Sequence, residues 1–438
     1  MLNWLRCVIT PRNPFRVEAL KTRWEGLPEN LKQPDQALGR YVAGCGATHG
    51  IHERCNFGCT ACYLGSEANQ QPPMPYLQVA KQLEKLRAFL GPGGNVQITS
   101  GEVTLLPVED LLRIVKRAVS LDLSPMVMTH GDVFLHNQSY LNRLVSEGGL
   151  RKVSMHADIT QRGRKGMNRP QSEEELNSVR DAMATCLRNC RKETGIKLKA
   201  AMTLTVNPEN LTQLKDVVPW FLANLDAFRI LSFQPQAETG RTQSRGVDAK
   251  AVWEALELVF ERSINPHAFT FGHQSCNRIA LFLAIETRGA PILLEAVRQD
   301  HPMDRRLVDG FMEDFSGVVF SDRSKGEITA RVLGVLVRKP WWLLKAAGYV
   351  LTRSWQEKHH IPAVIKALFN MKLRLRPLAL IVHAFMSRDE LETPLGMERL
   401  EACSFKVPIN GEMVSMCKVN ATDLRTSTYV EAFKELPN

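Results

Sequence analysis

From about residue 47 to residue 235 the chain alternates short apolar runs with longer amphipathic stretches, and this alternation restricts the fold more than any other feature. The short runs have the length of buried strands, and the longer stretches carry apolar residues at helical spacing. Such an alternation is typical of βα units repeated around a parallel sheet. The apolar runs predict six strands, at residues 48–53, 95–100, 125–130, 152–157, 198–205 and 228–234. The stretches between them predict helices at residues 76–90, 108–120, 138–146, 172–192 and 211–222.

The predicted fold class is α/β, with the six units forming a partial (βα)6 TIM-type barrel. A chain of 438 residues is longer than most single domains, so an additional region is expected beside the barrel. The predicted organisation is an N-terminal extension at residues 1–44, the barrel at 45–240 and a C-terminal region at 241–438. In such barrels the active site lies at the carboxyl ends of the strands.

The composition indicates a globular protein in a reducing compartment. Hydrophobic residues make up 44% and charged residues 23% of the chain, which argues against disorder. The ten cysteines are irregularly spaced, and the N-terminus carries arginine and proline where a signal peptide needs an apolar core. No uncharged apolar run approaches the roughly 20 residues of a membrane-spanning helix. A cytoplasmic location is therefore predicted.

Cys55, Cys59 and Cys62 are spaced Cys-x3-Cys-x2-Cys, directly after the first predicted strand. Three thiolates can hold three irons of a 4Fe-4S cubane and leave the fourth iron open, whereas an electron-transfer cluster normally takes four cysteines. Two alternatives stay open: a structural zinc site, which usually has paired cysteines and four closed ligands, and buried thiols that only pack. The spacing favours the iron–sulfur cluster, and the open iron favours catalysis.

Polar residues stand at the ends of the other predicted strands. Side chains gathered at this edge of a barrel can line a binding pocket, or they can close the barrel mouth with a satisfied hydrogen-bond network. The pattern alone does not separate the two. The residues concerned are Ser100, Gly101, Glu102, His130, Asp132, His156, Asp158, Asn207 and Gln234.

The three-cysteine motif, followed about forty residues later by Ser100-Gly101-Glu102, resembles the radical S-adenosylmethionine (SAM) superfamily. Two positions depart from that family's pattern. Ser100 replaces the first glycine of a Gly-Gly-Glu motif, and Ala61 stands where an aromatic residue is usual, with Tyr63 just beyond the third cysteine.

The resemblance implies the cofactors and the chemistry. A 4Fe-4S cluster held by Cys55, Cys59 and Cys62 would bind SAM through its open iron, and Gly101 with Glu102 would contact the methionyl amine. Reductive cleavage of SAM would yield a 5'-deoxyadenosyl radical that takes hydrogen from an unactivated carbon. A reductant such as flavodoxin or ferredoxin is the implied protein partner. The further candidates for lining the SAM or substrate pocket are Tyr63, His156, Asp158, Asn207 and Gln234.

Four other cysteines form a second candidate set: Cys45, Cys276, Cys403 and Cys417. They are dispersed along the chain, but four is the number that closes an auxiliary 4Fe-4S cluster. A C-terminal extension carrying such a cluster is therefore predicted, with buried thiols as the alternative. The remaining cysteines, Cys7, Cys186 and Cys190, are interpreted as packing or surface residues.

A basic tract between residues 331 and 376 holds ten lysines and arginines against a single acid, a net charge of +9 within a chain of net charge +10. Leu344, Ala347, Leu351 and Trp355 recur there at helical spacing beside cations. Such a pattern is typical of a helix in a membrane interface, where anionic headgroups attract the cations. An ordinary packing helix is the alternative, and the Leu, Val and Trp content disfavours nucleic acid as the partner. Contact with a membrane surface is therefore predicted.

Wider sequence context resembles the tetraether-lipid-synthase-like group within the superfamily. The segments concerned are Cys45 to Gly50, His156 to Gly163, Phe233-Gln234-Pro235 and Val382 to Met386, together with Cys403 and Cys417. The resemblance implies radical carbon–carbon bond formation between lipid tails at unactivated methyl ends. Two alternatives stay open: a SPASM-like maturase that modifies a peptide, and a non-catalytic iron–sulfur or zinc protein, which Glu102 and the six βα units disfavour.

Overall fold

The computed structural model describes residues 2–244, 246–286, 291–360, 362 and 374–427. Its strands form one eleven-stranded sheet in the order β11-β10-β1-β2-β3-β4-β5-β6-β9-β7-β8. The strands are β1 (Cys45–Ala47), β2 (Gly94–Ile98), β3 (Leu123–Thr129), β4 (Lys152–His156), β5 (Lys199–Val206), β6 (Ile230–Pro235), β7 (Asn277–Glu286), β8 (Ile292–Glu295), β9 (Arg374–His383), β10 (Phe405–Ile409) and β11 (Glu412–Ser415).

The helices cover the outer face of this sheet and extend beyond it. They are α1 (Leu2–Ile9), α2 (Pro14–Glu25), α3 (Tyr76–Leu90), α4 (Val108–Ser120), α5 (Asp132–His136), α6 (Gln138–Ser146), α7 (Asn177–Thr194), α8 (Leu214–Ala223), α9 (Ala249–Phe260), α10 (Pro302–Asp314), α11 (Lys325–Arg338), α12 (Trp341–Gln356), α13 (Pro394–Glu401) and α14 (Met416–Ala421). Among the residues that the structure describes, no helix is both long and apolar enough to cross a bilayer.

The first six strands pair in parallel and in sequence order, which confirms the α/β class and the six βα units. Strands from the C-terminal region extend the parallel sheet at both edges: β10 pairs with β1, and β9 pairs with β6. The antiparallel strands β11, β7 and β8 lie outside these. The predicted domain limits at 44 and 240 stay a prediction, but strands from both sides of residue 240 share one sheet.

The first strand differs from its prediction at residues 48–53. It ends at Ala47. The Thr48 amide still donates to the carbonyl of Gln97 on β2 at 3.0 Å, but the next two amides bond to side chains. The His49 amide donates to Oε1 of Gln82 at 2.7 Å, and the Gly50 amide donates to Oγ of Ser100 at 2.9 Å. These polar partners take the hydrogen bonds that a sheet ladder would use, so the segment becomes part of the barrel mouth.

Side chains alternate across the barrel strands with the two-residue period of a β-strand. The outward set packs beneath the helices and is fully buried; it includes Val96, Val127, Val153, Met202 and Leu231. The inward set is largely polar and lines a cavity; it includes Gln97, Ser154, Thr203, Thr205 and Gln234. The barrel is therefore an apolar shell around a polar interior.

Candidate active site

A cavity of about 210 Å³ opens at the carboxyl ends of the barrel strands. Cys55, Cys59 and Cys62 line it, together with Glu102 and the inward strand residues. Apolar side chains from the C-terminal region also line it: Phe385, Phe405 and Met416. The cavity thus has a polar part, supplied by the barrel, and an apolar part, supplied by the later strands and α14.

The cysteine loop is anchored by its backbone at both sides of the cavity. The Thr60 amide donates to the carbonyl of Thr160 at 2.8 Å, in the loop after β4. The Cys55 amide donates to Oδ1 of Asn69 at 2.9 Å, and the Cys62 amide donates to Oγ1 of Thr242 at 2.8 Å. Three separate segments therefore hold the loop that carries the thiols.

The thiols themselves fit an iron–sulfur cluster. Burial raises the pKa of Cys55 to about 12 and raises that of Cys59, with the neighbouring Cys62 thiol adding to both shifts. Sulfurs on one tetrahedral ion would lie about 3.8 Å apart, from metal–sulfur bonds of about 2.3 Å. Among the described residues, no three cysteines have all their sulfurs within 4.8 Å of one another, so the three thiols are not gathered on one ion. Bound iron would provide the positive charge that the thiolates need.

Arg241 lies behind the third cysteine. Its amide donates to the carbonyls of Cys62 and Leu64, each at 3.0 Å. Gly240 before it has φ +55°, and a Cβ there would come within 2.3 Å of the Tyr63 backbone, so only glycine fits. Burial lowers the pKa of Arg241, but the Cys62 thiol more than offsets this and raises it above its ordinary value. A cation therefore lies beside the cysteine loop. Arg241 was not among the residues singled out from the sequence.

Glu102 is buried at the cavity wall and is held by the ends of two strands. Its Oε1 accepts from the amide of Thr104 at 3.1 Å and from Oγ1 of Thr129 at 2.7 Å. Its Oε2 accepts from the amide of His130 at 2.8 Å. Oε1 also accepts from Oγ1 of Thr104, and Oε2 lies 3.2 Å from Nε2 of His130, so the roughly four acceptor sites of this carboxylate all have partners within the protein. Contact between Glu102 and an amine in the cavity would displace one of these donors, and it stays a prediction.

Ser100 and Gly101 differ in why they occupy their positions. A Cβ at Gly101 would lie 2.3 Å from the carbonyl oxygen of Glu53, so the close approach of two backbones requires glycine. The Ser100 hydroxyl donates to Oε1 of Glu53 at 2.7 Å. The serine that departs from the family pattern therefore bonds to an acid of the loop before the cysteines.

Tyr63 lies against the cavity and is covered from the C-terminal region. Its hydroxyl donates to the carbonyl of Ser100, and burial raises its pKa to about 12. The guanidinium of Arg425 lies over the ring, 4.7 Å from its centroid. Arg425 also donates to Oδ1 of Asn420 at 2.6 Å and to Oε1 of Glu53 at 3.3 Å. Sequence reasoning missed this arginine because it lies more than 360 residues after Tyr63.

His156 and Asp158 have different places. His156 lines the cavity, and its Nε2 lies 2.5 Å from Oδ2 of Asp158. Asp158 is fully buried and accepts from the amides of Thr160 and Thr205, each at 2.8 Å. Burial alone would raise the pKa of Asp158, but His156 and these hydrogen bonds lower it to about 2. Asp158 is therefore a fixed anion that orients His156 and joins two strand ends.

Of the other residues predicted at the strand ends, some also line the cavity and some bond only to the protein. Gln234 lines the cavity, whereas the side chain of Asn207 accepts from the amides of Glu209 and Asn210, at 3.0 and 3.2 Å. Such a local turn is what asparagine commonly forms after a strand. His130, which ends β3, does line the cavity; its ring stacks on Phe57 with centroids 3.8 Å apart.

A second cavity of about 20 Å³ brings together Cys276, Cys403 and Cys417. Arg399 donates to Sγ of Cys276 at 3.4 Å, and Ser415 donates to Sγ of Cys403 at 3.1 Å. Burial raises the pKa of Cys417, with Cys403 adding to the shift.

Cys45 does not line the second cavity, although it packs against the same apolar cluster as Cys403. Burial raises its pKa, and among charged groups Lys152 is the main influence on that pKa. The predicted four-cysteine ligand set therefore stays a prediction. Two histidines, His273 and His383, do line the cavity. Burial and Arg399 lower the pKa of His383 to about 4, so its imidazole is neutral.

The comparison with family models decides the superfamily. Residues 51–184 match the model described as the Radical SAM superfamily. The chain contains a radical SAM domain. The superfamily prediction is confirmed at this level, and members of this superfamily are enzymes. A radical SAM domain uses a 4Fe-4S cluster and SAM, which confirms the two main cofactors; the second cluster stays a prediction.

A curated relative of the radical SAM domain is 7,8-dihydro-6-hydroxymethylpterin dimethyltransferase from Methanocaldococcus jannaschii. It is 22% identical over 197 residues, which are 44% of this chain and 37% of that protein. The chain thus spans little more than a third of the relative's length.

Three solved structures are also similar. The structure described as anSMEcpe with bound AdoMet has 15% identity and a TM-score of 0.37, covering 50% of this chain and 59% of that chain. Methylornithine synthase has 13% identity and a TM-score of 0.35, and the match covers 59% of this chain and 73% of that chain. The FeFe-hydrogenase maturase HydG from Carboxydothermus hydrogenoformans has 11% identity and a TM-score of 0.33, and the match covers 59% of this chain and 63% of that chain. Likenesses at these scores carry no argument, and none of the matches named here confirms the tetraether-lipid-synthase-like group.

Proposed function

We propose that the radical SAM domain cleaves SAM reductively and removes hydrogen from an unactivated carbon on the acyl chain of a membrane lipid, leading to carbon–carbon bond formation. Joining two such carbons removes one hydrogen from each, so it consumes two SAM and two electrons from the reductant and releases two methionines and two 5'-deoxyadenosines. The observation that carries the proposal is one cavity lined both by the three cysteines with Glu102 and by the apolar side chains of Phe385, Phe405 and Met416. The polar part suits the charged methionyl group of SAM, and the apolar part suits a hydrocarbon.

When bound and reduced, the cluster with SAM supplies a 5'-deoxyadenosyl radical, so the protein has to position the reacting carbon rather than supply an acid or base. The anchored cysteine loop fixes one end of that geometry. Gly101 lets the strand ends approach closely, and the carboxylate of Glu102 at the cavity wall supplies negative charge for the methionyl amine. The apolar side chains exclude water, which would otherwise compete for a reactive intermediate.

The lipid proposal is tested by comparing total lipid extracts from one host that expresses the protein, its Cys55→Ala variant or a Cys190→Ala control. Cys190 is buried on α7 in the helix–sheet core and does not line the cavity. We expect lipids with new carbon–carbon linkages, seen by mass spectrometry, in the wild type and the control only. Extracts that do not differ would contradict the lipid substrate for that host's lipids.

Two other substrates remain for the same site. A SPASM-like peptide maturase would leave the lipids unchanged and would yield deoxyadenosine with a peptide instead. The similar protein from Methanocaldococcus jannaschii is named as a dimethyltransferase of a pterin, a small polar substrate that does not need the apolar part of the cavity. Deoxyadenosine formation without any lipid change would favour these alternatives.

We further propose that Cys276, Cys403 and Cys417 bind an auxiliary metal site, with His273 or His383 as the available fourth donor. Arg399 and Ser415 already donate to two of the sulfurs, and donors to sulfur favour the thiolate form that binds metal. Phe385, Phe405 and Met416 line both cavities, so an auxiliary site would lie behind the apolar part of the main cavity.

Iron counting on anaerobically purified protein tests this site. We expect about eight irons per chain in the wild type and about four in a Cys417→Ala variant, because each cubane holds four. Cys186→Ala serves as the control, since Cys186 is buried on α7 away from both cavities. About four irons in all three proteins, with no zinc, would rule the auxiliary site out.

A further inference from the structure

Helix α12 (Trp341–Gln356) turns its apolar side away from the protein. Of its residues only Trp342 and Arg353 are buried. The large apolar side chains are mostly exposed, 76% for both Leu344 and Trp355 and 71% for Leu351. A surface helix normally buries such a stripe against the core, so this arrangement needs a partner outside the described chain.

The exposed apolar residues form one continuous face. With 100° between successive residues, they occupy an arc of about 140° whose centre lies nearly opposite Trp342. We call this the outer α12 face; its members are Leu343, Leu344, Ala347, Val350, Leu351 and Trp355.

Contacts on the inner side fix this orientation. The indole of Trp342 donates to Oδ2 of Asp314 at 2.8 Å, and its ring meets Phe315 edge-on at 5.5 Å. The Tyr349 hydroxyl donates to the carbonyl of Ala296 at 2.8 Å, and Arg353 donates to the carbonyl of Glu295 at 2.9 Å. Because both ends of the helix are held, rotation that would bury the outer α12 face is prevented.

Three lysines lie over tryptophan rings of this helix, Lys339 and Lys358 at its two ends and Lys345 on its inner side, and Lys339 also pairs with Asp314 at 3.0 Å. Lys339 is 4.9 Å from the ring centroid of Trp341, and Lys358 is 5.4 Å from that of Trp355. Lys345 is 5.1 Å from the ring of Trp342. Tryptophan and lysine together are characteristic of the headgroup layer of a bilayer, where the ring is half in the apolar phase and the ammonium meets phosphate.

We infer that the outer α12 face inserts into the interfacial layer of a membrane containing anionic lipids, with Lys358 beside Trp355 at the headgroups. Residues 331–376 carry a net charge of +9. Arg331, Lys339 and Arg376 pair with acids outside the tract, and the remaining excess of six positive charges complements an anionic surface. A nucleic acid would present phosphates to the cations, but it would leave the apolar face without an apolar partner. The inference goes beyond the proposed reaction, since binding of this kind needs neither the cluster nor SAM.

The experiment is flotation of the purified full chain with vesicles of phosphatidylcholine and phosphatidylglycerol at about 7:3, against vesicles of phosphatidylcholine alone. We expect binding to the mixed vesicles to be at least tenfold stronger. A Leu344→Ser/Leu351→Ser variant should lose at least tenfold of this binding. Leu258→Ser is the matched control, because Leu258 on α9 is 80% exposed but lies outside the face.

Each result bears on the inference. Unchanged melting of the double variant shows that lost binding is not lost folding. Equal vesicle binding by wild type and double variant overturns the inference, as does a wild-type dimer that the double variant abolishes in the absence of vesicles. The Cys55→Ala variant is expected to bind vesicles as the wild type does, so failure here is distinguishable from failure of the proposed lipid chemistry.

Discussion

Replacing Cys55 by alanine is expected to abolish cleavage of SAM, with at least about a 10³-fold loss of deoxyadenosine formation, because the cluster then lacks one of its three protein ligands. The loop should stay in place, since the backbone of Cys55 keeps its hydrogen bond to Asn69 and Cys62 keeps its bond to Thr242. The loss would therefore come from the missing thiolate and not from unfolding.

The measurement is deoxyadenosine formed from SAM by reduced, reconstituted protein, together with the electron paramagnetic resonance spectrum of the reduced cluster. Cys190→Ala is the control for removing a buried thiol elsewhere, because Cys190 is buried on the core side of α7. Deoxyadenosine formation by Cys55→Ala at more than a tenth of the wild-type rate would contradict the assigned ligand set.

Replacing Arg180 by methionine is expected to lower the free energy of unfolding by about 3–5 kcal/mol, since it leaves a buried carboxylate without its partner. Arg180 and Glu173 are both fully buried and form an ion pair. Arg180 also donates to the carbonyl of Ala157 at 3.0 Å, and Oε1 of Glu173 accepts from the amide of Ile159 at 3.1 Å. The pair therefore holds the loop after β4.

The loop after β4 connects the Arg180–Glu173 ion pair to the cysteine loop. Thr160, next to Ile159, accepts the hydrogen bond from Thr60 in the cysteine loop. Loss of the ion pair should therefore also weaken retention of the cluster, while a surface ion pair such as Arg188 with Asp226 offers a control. The corresponding Arg188→Met change should cost about 1 kcal/mol or less, because its partners are solvent-exposed.

The effect of Arg180→Met should depend on pH in a defined direction. Burial raises the pKa of Glu173 above its ordinary value of 4.5, and Arg180 opposes that rise. Without Arg180 the folded state favours the protonated acid more strongly, so the variant loses stability as pH rises above the ordinary value of glutamate. Urea unfolding across this range measures it, and a Glu173→Gln/Arg180→Met double variant should recover part of the loss. A pH-independent deficit would contradict this account.

Much of the barrel could be predicted from the sequence because its signals are local. The helices at residues 76–90, 108–120 and 138–146 have the predicted bounds, since helical spacing and nearby turn residues decide where a helix begins and ends. The predicted first strand was wrong at residues 48–53, because the backbone amides of His49 and Gly50 bond to the side chains of Gln82 and Ser100, partners that only the folded chain brings near.

The candidate site residues show the same limit of local sequence patterns. His156 and Gln234, at strand ends, line the cavity, whereas Asp158 and Asn207, at similar places, do not line it and accept hydrogen bonds from the backbone; the roles of all four stay predictions. The strand-end pattern is the same in both cases, and only the direction of each side chain in the folded loop separates them. No pattern in the sequence around Arg425 indicates that it contacts Tyr63.

By itself the sequence determined the chemistry of the cysteine loop and the repeated βα units, because both depend on residue types at short spacing. It also determined that α12 has an apolar stripe beside cations. Only the tertiary structure decided that this stripe faces outward, that Cys276, Cys403 and Cys417 line one small cavity, and that β9 and β10 join the barrel sheet. Each of these depends on contacts between residues far apart in the chain, whose energies no local pattern records.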